Sequence, residues 1–184
     1  MQDLVTFEAT AGRDALTPHR NEDQSTTIHF LLQPNASQLF QNFDQAELDV
    51  LTTKDAAFYV HNFGFSTDLF QTDLGIKNAY TATSQTKDEK GEWFVASVES
   101  KEYPFFGTQF HPEKQMALFY PEFHLNHSEE VESVNRKFAD FFVALSRKNG
   151  NSFPSYDEEV AALIENYPLE IVPFKLSVGE VYLF

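Results

Sequence analysis

Apolar residues recur most regularly between Ser128 and about Lys148, where Val131, Val134, Phe138, Phe141, Phe142 and Leu145 follow at the three- and four-residue steps of one helix face. The pattern predicts a long helix with Ser128 as its N-cap. Glu129 and Glu130 fall in its first turn, and Arg147, Lys148 and Gly150 close it. Elsewhere the apolar runs are short and rich in β-branched and aromatic residues, which predicts strands in "TTIHFLLQ", "AAFYVHNFGFS" from Ala56, "LEIVPF" and "EVYLF". "IKNAYTATSQT" and "EWFVASVES" flank the polar "KDEKGE" with Gly91, the pattern of a hairpin. "YPFFGTQF", entered through Pro104, is apolar on both faces and reads as a strand inside a sheet covered by helices.

The remaining stretches are weaker. Leu4, Val5 and Phe7 to Ala11 form a short helical pattern ending at Gly12, and Arg13 to Ser25 reads as a polar loop. "SQLFQNFDQAELDVL" predicts a helical turn or short helix, and Asp157 to Glu165 another. Strands mixed with helices argue an α/β sheet with helices on both faces. No internal repeat or linker interrupts the chain, so residues 1–184 are expected to form a single domain.

Composition narrows the partners. A chain of 184 residues can remove roughly 70% of its unfolded surface from water. Thirteen basic against twenty-eight acidic residues give a net charge of −15, which opposes nonspecific contact with nucleic acid or an anionic membrane surface. No apolar stretch reaches the roughly 18 residues of a membrane span. The N-terminus lacks a basic leader before an apolar run and does not read as a signal peptide. Two sequons begin at Asn35 and Asn126. With zero cysteines, there is neither a disulfide nor a thiolate metal site.

The candidate chemistry centres on "QFHPEK". His111 stands just past the carboxyl end of a predicted strand, where open α/β sheets place their ligands. Pro112 restricts the turn, and Glu113 is spaced to reach back to the imidazole, hold one tautomer and stabilise the imidazolium. His124 and His127 form an H-x-x-H pair that a polar loop explains better than a metal does. Lys101 and Lys114 could offer positive charge to a substrate carboxylate, although solvated lysines explain them as well. His19 and His29 carry no functional reading.

"YPFFGTQFHPEK" also resembles the histidine motif of the class I glutamine-amidotransferase superfamily, and most closely its gamma-glutamyl hydrolase branch. "LFQNF" at Leu39, "FYVHNFGFS" at Phe58, "FADFFVALSRKN" at Phe138 and the terminal "VYLF" fall in the order and near the spacings of that family. The resemblance covers nearly the entire chain. It implies a flavodoxin-like three-layer sheet with helices on both faces, of which the chain is the C-terminal portion. It also implies cleavage of gamma-glutamyl bonds in poly-gamma-glutamyl folates by a cysteine nucleophile.

Carried over residue by residue, the resemblance makes His111 the general acid/base, Glu113 its orienting acid and His61 a further catalytic-site histidine that lines the cleft and is implicated in activity. Asn62, Phe63 and Phe65 would stand beside it. "MQDLVTFEATAG" looks like the end of the family's nucleophile elbow running into its helix, which places the cysteine just before Met1 and leaves it without a counterpart here. The implied partner is a small-molecule substrate, with no metal or organic cofactor, together with a dimer and a lysosomal, vacuolar or extracellular address. Two other functions compete. One is a non-catalytic truncated homologue acting as a structural or binding partner, and the other is a glutaminase domain feeding ammonia to a synthase.

Overall fold

Within residues 15–117, 122–174 and 177–183, which the computed structural model describes, the chain divides into two compact units, one ending at Ser146 and the other running from Arg147. The first contains β1 (Thr17–Thr26), β2 (His29–Phe30), α1 (Gln45–Thr53), β3 (Ala57–Gly64), α2 (Thr67–Thr72), α3 (Leu74–Ala79), β4 (Tyr80–Lys87), β5 (Trp93–Ser100), β6 (Phe106–Thr108), α4 (Lys114–Ala117) and α5 (Glu129–Ser146). The second contains α6 (Tyr156–Ala161), β7 (Leu169–Phe174) and β8 (Ser177–Tyr182). The helical pattern expected over Leu4 to Ala11 lies outside the described residues.

The predicted hairpin is β4–β5, and Gly91 in its turn has φ +84°, a left-handed backbone that glycine adopts without strain. Strand β5 is buried along nearly its whole length. Phe94 and Ala96 point into a core shared with Phe40, Phe43, Leu51, Tyr59, Phe110, Val131, Val134 and Phe138. Val95 points into a second core with Phe65, Phe70, Ile76 and Tyr80. Helices α1 and α5 therefore cover one face of this strand, and α2 and α3 the other. The expected mixed α/β class holds.

The connections differ from a flavodoxin-like layout. Every ladder among the described residues is antiparallel: β1 with β3, the sheet β2-β4-β5-β6, and β7 with β8. Short turns join β4 to β5 and β5 to β6, whereas parallel neighbours need a crossover of a dozen or more residues.

Several local expectations change. Most of the expected polar loop before Ser25 is strand β1, whose alternation is broken by two register shifts and by Asp23 at φ 56°. "TTIHFLLQ" contributes only His29 and Phe30 to a ladder. "YPFFGTQF" contributes only Phe106–Thr108, because Tyr103 and Phe105 are exposed in the preceding turn.

Helix α1 starts at a reciprocal capping box: Asp44 accepts the Glu47 N–H at 2.9 Å and the Glu47 carboxylate accepts the Asp44 N–H at 2.8 Å. On α5, Phe141 and Phe142 are adjacent and so about 100° apart around the helix, and both cannot face the core. Phe141 packs on Phe106 at 4.8 Å, while Phe142 is 68% exposed. Asn135 instead takes a fully buried slot, donating to the carbonyls of Ala56 and Val131 at 2.9 Å each. The Ser128 carbonyl accepts the Glu132 N–H, but its hydroxyl meets no partner and so does not cap the helix as expected. The first turn is entered instead through Asn126, whose Oδ1 accepts the Ser128 N–H at 3.0 Å.

Candidate active site

Strand β3 holds the two principal histidines in relation to each other. Its first half, Ala57 to Tyr59, is fully buried, with Ala57 and Tyr59 in the main core, and most of its second half opens toward solvent. The carbonyl of Phe58 accepts the backbone N–H of His111 at 2.8 Å, and His61 lies three residues further along the same strand. Buried Phe110 packs on Tyr59 and Phe138, with ring centroids 6.1 and 5.3 Å away. On the other side, Gln115 in α4 is fully buried and donates to the Ala56 carbonyl at 2.9 Å. The turn bearing His111, Pro112 and Glu113 is thus pinned at both ends.

His111 and Glu113 form the expected dyad, with Nδ1 3.0 Å from Oε1. With the Nδ1 proton donated to the carboxylate, Nε2 is left as the working nitrogen. The side chains are 40% and 56% exposed, so the pair adds little to stability and serves mainly to orient the ring.

His61 is of another kind. Both of its ring nitrogens are buried without a hydrogen-bond partner, and its ring stands edge-on to Tyr59 at 5.7 Å and Phe94 at 5.0 Å. Burial is the main reason its pKa falls to about 4; the nearby backbone of His19 and Phe63 favours the charged form, while positive charge on His19 or His111 opposes it. At neutral pH His61 is therefore an uncharged imidazole. Asn62 and Phe63 beside it are exposed, as cleft-lining residues would be. Phe65 is not, since it is fully buried against Phe70 in the second core.

Lys114 stays beside the dyad, its backbone N–H donating to the His111 carbonyl at 3.2 Å, while His124, His127, Lys101 and His29 have partners of their own. His124 pairs with Asp23, Nδ1 to Oδ2 at 2.8 Å, whereas His127 donates through Nδ1 to the Gln115 carbonyl at 2.7 Å. The H-x-x-H pair thus turns to two different partners. Lys101 donates to the Lys77 carbonyl at 2.5 Å. His29 stacks edge-on against Trp93 at 5.0 Å.

His19 is the residue whose importance the sequence did not reveal. It is 3% exposed, its Nδ1 lies 2.9 Å from Asp88 Oδ2, and its ring centroid is 5.5 Å from that of Phe94. The motif-free, polar segment around it gave no signal beyond the histidine itself. Donor atoms of His19, Asp88 and Glu92 lie within 4.8 Å of one another, but hydrogen bonds within the protein already occupy both Asp88 oxygens.

No family model matches the chain. Gamma-glutamyl hydrolase 1 of Arabidopsis thaliana is 28% identical over 184 residues, 99% of this chain and 52% of that protein. Gamma-glutamyl hydrolase B of Dictyostelium discoideum is 26% identical over 186 residues, 100% of this chain and 53% of that protein. The family resemblance is supported. The gamma-glutamyl hydrolase of Homo sapiens is 28% identical over 157 residues, 85% of this chain and 49% of that protein. The chain spans about half the length of these gamma-glutamyl hydrolases.

Proposed function

We propose that the chain carries the acid–base side of a gamma-glutamyl hydrolase site of the cysteine type. The observation behind this reading is the His111–Glu113 dyad, held to β3 by the Phe58 carbonyl within a chain whose relatives bear that name. The 184 residues contain no cysteine, so the thiol has to come from residues outside them. A thiol with a pKa of about 8.5 needs a base at neutral pH. His111 Nε2 takes its proton, and the thiolate attacks the gamma-amide carbonyl. Collapse of the tetrahedral intermediate breaks the C–N bond as the imidazolium protonates the departing amine. Water, deprotonated by the same nitrogen, then hydrolyses the acyl thioester. Glu113 holds the Nδ1 proton throughout, and neutral His61 offers a hydrogen bond at the cleft wall.

The substrate class in this reading is a poly-gamma-glutamyl folate, and the expected setting is a dimer in a lysosomal, vacuolar or extracellular compartment. Without a nucleophile the chain alone is catalytically silent, which favours the structural or binding role as its second reading. The test joins this chain to the part of the Dictyostelium relative that it does not match and incubates the chimera with a pteroyl-poly-gamma-glutamate. Shortened products, lost in His111→Ala and reduced in Glu113→Gln, are expected. A chimera equally active with and without His111 overturns the assignment.

A further inference from the structure

His19 and Asp88 form a second histidine–carboxylate pair, and unlike the first it is almost wholly buried, with side chains 3% and 1% exposed. Asp88 is already fixed by the β4–β5 turn, where its Oδ1 accepts the N–H groups of Lys90 and Glu92 at 2.9 Å each. Those two bonds suffice to cap the turn. The added bond from Oδ2 to His19, 69 residues away in sequence, ties β1 to the hairpin instead.

The path from that pair leads to the cleft. The ring of Phe94 has His19 at 5.5 Å and His61 at 5.0 Å, so the two imidazoles share one aromatic wall. Beside it, Asn21 is the register partner of His61 across the β1–β3 ladder, just past the shift that follows Pro18. His19 and Asn21 share the inward face of β1, at 3% and 0% exposure. The charged or titratable groups facing His61 are His19 from β1, His111 from the turn after β6 and Tyr59 on its own strand; the backbone of Phe63 and the ring of Phe94 complete its surroundings.

We propose that His19, oriented by Asp88, is a positioning residue for His61, fixing the Phe94 wall on which its ring rests. The inference rests on reading His111 and His61 as parts of a hydrolase cleft. It adds a buried carboxylate–imidazole pair that meets the same Phe94 ring as His61. The backbone of His19 favours the charged form of His61 and a charge on its ring opposes it, so a substitution that keeps the backbone and removes the ring isolates the side chain's effect.

Nuclear magnetic resonance of the purified chain, with its histidines nitrogen-labelled, tests this by following each imidazole from about pH 3 to about pH 8. In the parent chain His61 titrates at about 4. In His19→Gln its midpoint moves upward, and the tautomer of His111 does not change. Asp88→Asn retains an amide oxygen for the hairpin N–H groups and changes the His61 midpoint as well, while Glu92→Gln leaves it in place. An unchanged His61 midpoint in whichever of His19→Gln and Asp88→Asn remains folded overturns the proposal. Because the readout requires no turnover, its failure is distinct from failure of the chimera to cleave substrate.

Discussion

Glu99 offers a quantitative test of how the sheet holds the segment before α1. This β5 residue is 8% exposed; its Oε1 accepts the Ser37 hydroxyl at 2.5 Å and the Leu39 N–H at 2.8 Å, and its Oε2 accepts the Gln38 N–H at 3.1 Å. Ser37 and Leu39 are themselves 1% and 4% exposed, so Glu99→Ala strands two donors away from water and a third partly so. Each stranded donor costs about 1–3 kcal/mol, which sets the expected loss at roughly 3–6 kcal/mol after some relaxation. That is a large share of the roughly 5–15 kcal/mol that stabilises an ordinary domain. Glu99→Gln keeps one oxygen for Ser37 and Leu39 and turns an amide donor on the Gln38 N–H, so its cost should be about 1–2 kcal/mol. Urea unfolding at an unchanged m-value reads both. A loss below about 1 kcal/mol for the alanine variant, or equal losses for the two, refutes the reasoning.

On α5, Phe138→Ala is expected to cost about 3–5 kcal/mol while Phe142→Ala stays within roughly 0.5 kcal/mol, since the former ring is 6% and the latter 68% exposed; thermal unfolding of both separates them. The Tyr59 hydroxyl is fully buried without a hydrogen-bond partner, so Tyr59→Phe is expected to hold or raise the urea midpoint, and a clear loss would mean that the hydroxyl is satisfied in solution. His61 carries a pH signature with a definite sign. Its folded pKa of about 4 lies below an unfolded value of about 6.5, so the unfolded chain binds more protons between them and stability from this group falls as pH drops through that window. Urea midpoints across that range should show the slope, and His61→Asn should flatten it.

The elements legible in the sequence were those whose local pattern and tertiary setting agree. The hairpin around Gly91 carried its turn chemistry and the long α5 helix its period, though not the cap at Ser128 or the inward place of Phe142, and the order of β3 and the His111 turn was clear from their apolar runs. Strand β1 was hidden because its polar residues alternate irregularly across two register shifts, so its pairing with β3 supplies what its own sequence does not. For the same reason His19 could not be recognised beforehand, since its partner Asp88 lies in a turn 69 residues away. The His111–Glu113 dyad was legible because a spacing of two fixes it locally. The unpartnered nitrogens of His61 depend on Tyr59, Phe94 and the neighbouring histidines, which only the fold assembles.

The hydrogen bond from His111 N–H to the Phe58 carbonyl has a consequence for how such a chain can diverge. The base is keyed to main chain, but Phe58 is itself fully buried, so its side chain can change only to one that fills the same space. Length is constrained as well. One residue inserted between Phe58 and His61 would slide the two histidines apart by about 3.3 Å and turn one of them to the opposite face of the strand. The spacing of the site is therefore fixed by the register of one strand.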